Sequence, residues 1–111
     1  MNVAAERYGQ AAILNCRGEM VIDSLEAFKQ VVEHQLQDSQ VRDVVLDLTE
    51  VPFVDSAALE YLLNLQERLA ERLGQIKLVG LDVNVAKILE ITRLENAFER
   101  CPDVSEAVKT I

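Results

Sequence analysis

Asp55-Ser56 places a reactive hydroxyl where a phosphate is easily held. An apolar run, Val44-Val45-Leu46-Asp47-Leu48, leads through Val51-Pro52-Phe53-Val54 to this pair, and an apolar-periodic stretch starts directly after it. A serine at such a junction heads a helix, where first-turn N–H groups lack intrahelical partners and the macrodipole is positive. The chemistry on offer at Ser56 is therefore phosphate binding or covalent phosphorylation. The plain alternative is a helix cap, since Asp and Ser are both preferred there and either Asp55 or Ser56 could accept the first-turn hydrogen bond. From local chemistry alone, capping is the better supported role.

Other chemistry finds little to converge on. The single histidine, His34, falls beside the apolar stripe of the first helix, between Glu33 and Gln35, and reads as a surface residue; a Ser-His-Asp arrangement has no support. Four glycines, Gly9, Gly18, Gly74 and Gly80, are too far apart for a phosphate-binding loop, which removes the sequence basis for nucleotide catalysis. Asp47, Glu50 and Asp55 gather around one loop, but acidic residues cluster readily in a chain this acidic, so no metal and no cofactor are expected. Cys16 and Cys101 lack C-x-x-C spacing and read as reduced thiols of a cytoplasmic protein.

The elements that must position Ser56 follow from periodicity. Two short strands flank Tyr8-Gly9-Gln10, with Ala11–Cys16 the second of the hairpin, and Gly18 ends it. Asp23 and Glu26 have capping-box spacing ahead of Leu25, Phe28, Val32 and Leu36, predicting a helix over about Ser24 to Gln37. Val44–Leu48 reads as the core strand, covered on both sides or on its way to the sheet centre. A second helix, about Ser56 to Leu73, carries Leu59, Leu62, Leu65, Leu69 and Leu73 on one stripe, with Gly74 as its stop signal. Tyr61 and Leu63 lie off that stripe, as a second packing layer or a contact surface. A strand at Ile76–Gly80, a helix from about Asn84 to Thr92, an extended piece near Ala97-Phe98-Glu99 and a closing helix near Ser105 complete the chain. The expectation is an α/β fold: one domain over residues 1–111 with a mixed sheet of four to five strands, right-handed crossovers and about four helices mainly on one face.

Composition bounds the function class. Half of the 111 residues are apolar, enough for one core without disulfides or a metal. The net charge of −8 opposes nucleic-acid and anionic-membrane surfaces and suits a neutral or basic protein partner. The N-terminus has no apolar signal region and no run reaches eighteen apolar residues, so neither export nor membrane insertion is expected.

The segment Val44 to Leu59, with Phe53-Val54-Asp55-Ser56-Ala57-Ala58-Leu59 at its end, resembles the signature of STAS domains of the SpoIIAA type, an apolar strand followed by Phe-x-Asp-Ser-Ser/Thr-Gly-Leu. Gly18-Glu19-Met20 is similar to the family's Gly-Glu-Leu-Asp segment, and the C-terminal third agrees through Leu94-x-x-x-Phe98. Val21 stands where that motif has its aspartate, with Asp23 two residues on, and Ala57-Ala58 replace Ser/Thr-Gly. The resemblance implies a STAS fold and a non-enzymatic bacterial regulator, an anti-sigma factor antagonist. Unphosphorylated, it would bind an anti-sigma factor serine kinase and free the sigma factor, acting on transcription; the kinase would phosphorylate Ser56 and a PP2C-type phosphatase would reverse this. By position, the implied partner-binding residues are Met20, Val21, Asp23, Ser24, Phe53, Val54, Asp55, Ser56 and Ala57. The implied state is a monomer or weak homodimer. Two other readings stand beside it: a non-phosphorylated STAS scaffold subunit of a transporter or signalling complex, which Ala57-Ala58 suits, and a small hydrolase or nucleotide-binding protein using Ser56 with Asp47 or Asp55.

Overall fold

The computed structural model describes residues 1–110; Ile111, the last residue of the expected domain, lies outside the described residues. In chain order the elements are β1 (Asn2–Tyr8), β2 (Ala11–Arg17), α1 (Leu25–Leu36), β3 (Asp43–Glu50), α2 (Ser56–Glu71), β4 (Ile76–Val79), α3 (Val83–Ile91), β5 (Glu99–Cys101) and α4 (Val104–Lys109). They form one five-stranded mixed sheet in the order β1-β2-β3-β4-β5. The β1–β2 hairpin is antiparallel and turns through Gly9-Gln10, where Gly9 takes the positive φ (58°) that a two-residue hairpin turn demands. All later pairs are parallel, each crossover running through a helix or, before β5, through α3 and the turns after it.

Alternation along the strands builds two unequal cores. Leu14, Leu46 and Leu78 stand in register across β2, β3 and β4 and meet Phe28 and Val32 of α1, Leu62, Leu65 and Leu69 of α2, and Leu89 of α3. Each such leucine contributes about 2 kcal/mol by leaving water, and the three long helices gather on this face. The neighbouring row, Ile13, Val45, Lys77 and Glu99, faces the opposite side, where α4 lays Ala107 over Ile13, Val45 and Val79. Lys77, 1% exposed, is accommodated there because its ammonium donates to the Ala107 carbonyl (3.0 Å) and to Thr110 Oγ1, with Glu99 at 3.8 Å. The expected mixed sheet, central third strand and mainly one-sided helices all hold.

Three local expectations do not. The α1 N-cap is Ser24, not Asp23, and no capping box forms: the Ser24 hydroxyl turns back to its own loop, accepting from Val21 N–H (3.2 Å) and lying 2.7 Å from the Glu19 carbonyl it donates to. Helix α2 stops at Glu71, so Leu73 leaves the apolar stripe and stands 82% exposed with a left-handed φ of 64°. Gly74 is therefore not the left-handed stop residue. Its N–H closes the helix end onto the Leu69 carbonyl at 2.8 Å, and it must be glycine for another reason: a Cβ there would come within 1.7 Å of the Arg42 carbonyl oxygen. The last strand begins at Glu99 rather than Ala97, because Phe98 is 4% exposed within the helix-side core.

Candidate functional site

Ser56 owes its position to two adjacent parallel strands. Because β2 and β3 point the same way, the loops leaving their carboxyl ends emerge side by side, the end of an open parallel sheet where ligands characteristically bind. The pairing continues into the loops: Gly18 N–H donates to the Glu50 carbonyl (3.0 Å), Met20 N–H to the Phe53 carbonyl (3.0 Å), and Asp55 N–H to the Met20 carbonyl (3.2 Å), around an isolated parallel bridge between Met20 and Val54. The Gly18–Ser24 and Val51–Asp55 loops thus form one two-stranded extension of the sheet.

Asp55 locks this extension to helix α2. As N-cap, with extended backbone (φ −101°, ψ 179°), it accepts the Ala58 N–H on one carboxylate oxygen and the Ile22 N–H on the other, both at 2.9 Å. These two backbone donors, Ala58 first, hold its carboxyl below the usual carboxylate range. The capping question left open by the sequence is thereby answered: Asp55 caps, and the Ser56 hydroxyl is not needed for it. Ser56 is the first residue of α2, exposed, and its side chain makes no hydrogen bond among the described residues. A free hydroxyl stands at the positive end of a sixteen-residue helix.

The other sequence-identified residues divide by burial. Met20 (0%) and Val54 (2%) are buried and hold the loops from beneath. Val21 and Ala57 are half-buried, Ser24 has its hydroxyl engaged within its loop, and Asp23, Phe53 and Ser56 form the open face. Ile22, 69% exposed and 33 positions before the Asp55 to which it is hydrogen-bonded, belongs to this face as well. Its signal in the sequence is an apolar residue off the α1 stripe, immediately ahead of that helix.

The alternative chemistries disperse. Asp47 accepts from Thr49 Oγ1 (2.6 Å) and Thr49 N–H (3.1 Å), Glu50 pairs with Arg17 (2.7 Å), and Asp55 is bound to backbone, so the three carboxylates do not converge. No group of three or more potential metal ligands is present among the described residues. His34 is exposed near the far end of α1 from Ser24. Tyr61 is a packing residue: its ring meets Phe28 edge-on at 5.9 Å and its hydroxyl donates to Glu33 at 2.9 Å. Leu63 likewise packs against the core. No helix among the described residues is long and apolar enough to cross a membrane.

Comparison with known proteins agrees with this geometry. The STAS domain family profile matches residues 2–107. A Thermotoga maritima protein described as a candidate anti-sigma factor antagonist superimposes with a TM-score of 0.88 at 22% identity, covering 98% of this chain and 93% of its own. An anti-sigma factor antagonist from Mycobacterium paratuberculosis gives 0.85 at 22% identity, over 99% and 92%. SpoIIAA of Bacillus gives 0.83 at 15% identity in its unphosphorylated form (98% and 95% covered) and 0.75 at 14% identity in its phosphorylated form (98% and 98%). No curated protein sequence matches the chain. With the family pattern running from the first strand through the paired loops and the serine-led helix to α4, this chain belongs to the STAS domain family.

Proposed function

We propose that this protein is a cytoplasmic anti-sigma factor antagonist switched by phosphorylation of Ser56. The observation that carries the reading is the division of labour at the head of α2: Asp55 does the capping, leaving the Ser56 hydroxyl exposed and uncommitted. STAS membership and the likeness to structures described as anti-sigma factor antagonists support the same reading.

In the unphosphorylated state the face made by Ile22, Asp23, Phe53 and Ser56 docks a kinase-type anti-sigma factor and so frees the sigma factor. Phosphorylation joins the Ser56 oxygen to the γ-phosphorus of the kinase's ATP; the bond to the β-phosphate oxygen breaks, ADP leaves and the hydroxyl proton passes to a base of the kinase. This chain supplies an accessible nucleophile on a rigid helix end and no catalytic machinery. The product carries nearly two extra negative charges next to Asp55 and within the Asp23 loop's face, which evicts a partner by bulk and by the cost of desolvating a phosphate crowded against a carboxylate. The fold tolerates that charge because it lies at the helix N-terminus. A PP2C-type phosphatase would restore the binding form.

The test incubates the protein with ATP, Mg²⁺ and each kinase-type anti-sigma factor encoded by the same genome, reading intact mass and binding together. One phosphate on Ser56, absent from Ser56→Ala and accompanied by release of the kinase, is the expected result. Stable binding of a partner with no phosphate transferred would replace this reading with the unphosphorylated scaffold role. Ester or nucleotide turnover abolished by Ser56→Ala would replace it with an enzyme.

A further inference from the structure

Beside the Ser56 face lies an apolar groove of about 460 Å³, between the Pro52-Phe53 turn and helix α3. Phe53 (42% exposed), Ile91 (72%) and half-buried Ile88 supply its apolar surface. Asn84, Lys87, Ile88 and Ile91 fall at i, i+3, i+4 and i+7, so one face of α3 makes the whole wall. Glu19 and Lys87 give the lining one charge of each sign, the acid from the β2–α1 loop and the base from α3. Two large hydrophobic residues exposed side by side and rimmed by polar side chains give a concave apolar surface that a partner can cover.

We infer that this groove receives an apolar side chain of the same protein partner, held between a basic group facing Glu19 and an acidic group facing Lys87, and that this contact decides which partner binds. The inference rests on the proposed antagonist function. Two features of the structure choose the occupant. The groove is continuous with the switch face, because Phe53 lines it and is hydrogen-bonded through its carbonyl to Met20 in the loop that carries Asp23. A partner covering Ser56 therefore meets the groove's rim. The paired charges also call for a dipolar partner segment with one orientation, which a lipid surface or a nucleic acid does not present.

The arrangement separates two tasks. None of the lining residues belongs to α2, the helix that carries Ser56, so the α3 side of the groove can be altered without touching the phosphorylated residue. Ser56 would then time release, and α3 would select the partner.

The experiment measures binding of the cognate kinase-type anti-sigma factor, and its phosphorylation of Ser56, for wild type, Ile91→Glu, Lys87→Glu and Ser56→Asp. Ile91 is exposed enough that Ile91→Glu should keep the wild-type melting temperature, and Ile91→Ala provides a second variant should it not. The expected result is affinity weakened about tenfold or more by Ile91→Glu, a smaller loss with Lys87→Glu, and an unchanged maximal phosphorylation rate at saturating kinase. Wild-type affinity in Ile91→Glu and Ile91→Ala, with Ser56→Asp alone failing to bind, would overturn the groove assignment and leave the antagonist reading standing. So would a shift of Ile91→Glu from dimer to monomer with partner binding unaffected, which would give the groove to a second copy of this chain. A wild-type protein that binds no such kinase would overturn both.

Discussion

Ser56 and Asp55 are adjacent residues with opposite commitments, and the difference can be measured. Asp55 spends both carboxylate oxygens on backbone donors from separate elements, so Asp55→Ala should cost about 1–2 kcal/mol in denaturant unfolding and speed hydrogen exchange at the Ile22 amide. Ser56→Ala should change stability by less than about 0.5 kcal/mol; equal losses in the two variants would mean that the hydroxyl shares the capping. The sequence made the pair legible as a helix head but not the choice between them, because that choice depends on Ile22, which reaches Asp55 only once β2 and β3 lie side by side. Leu73 departs from the expected stripe for a related reason: helical spacing continues two positions past Glu71, where the helix ends. Its left-handed φ strains a side chain that buries nothing, so Leu73→Gly should raise stability by about 0.5–1 kcal/mol, read as a higher denaturation midpoint at unchanged slope.

At the scale of elements, the switch face depends on the relation between α1 and α2, whose leading loops compose it. Arg68 of α2 grips Glu33 of α1 with two hydrogen bonds, 2.7 and 2.8 Å, and Tyr61 adds a third at 2.9 Å. The Arg68 hydrogen bond holds the Glu33 carboxyl below its usual range. A depressed carboxylate stabilises the fold above its unfolded-state pKa and loses that contribution as pH falls through the folded value. Glu33→Gln should therefore lower stability near neutral pH by at most about 1 kcal/mol, since the pair is half-exposed and screened. The gap between variant and wild type should close below about pH 4; a gap that persisted in acid would assign the loss to packing instead of charge. Periodicity alone is enough to identify these two helices and the strand between them. It does not fix the ends of elements, where Phe98 is drawn into the core ahead of β5 and Ser24 into the loop before α1, because a few terminal residues carry less local preference than the tertiary contacts that override it.

For the whole molecule, charge and topology divide the work. The parallel strands bring the Gly18–Ser24 and Val51–Asp55 loops to one end of the sheet beside α3, giving the switch face and the groove a common rim, while a net charge of −8 sets the field in which a partner approaches. Glu19, Asp23 and Asp55 lie at that end, so a basic partner is steered toward Ser56 and the apolar groove then holds it. These two contributions respond differently to salt. With a screening length near 8 Å at physiological ionic strength and about 3 Å at 1 M, long-range attraction is lost while apolar contact persists. Raising NaCl from about 50 mM to about 500 mM should slow association with the anti-sigma factor by about tenfold or more, with little change in dissociation, as resolved by stopped-flow mixing. Phosphorylated protein should keep this salt dependence of association, because its added charge has the sign of the field that attracts the partner, and should lose binding through faster dissociation, since the phosphate must be accommodated and desolvated under the partner. An association rate indifferent to salt in both forms would show that the acidic field plays no part in bringing the partner to Ser56.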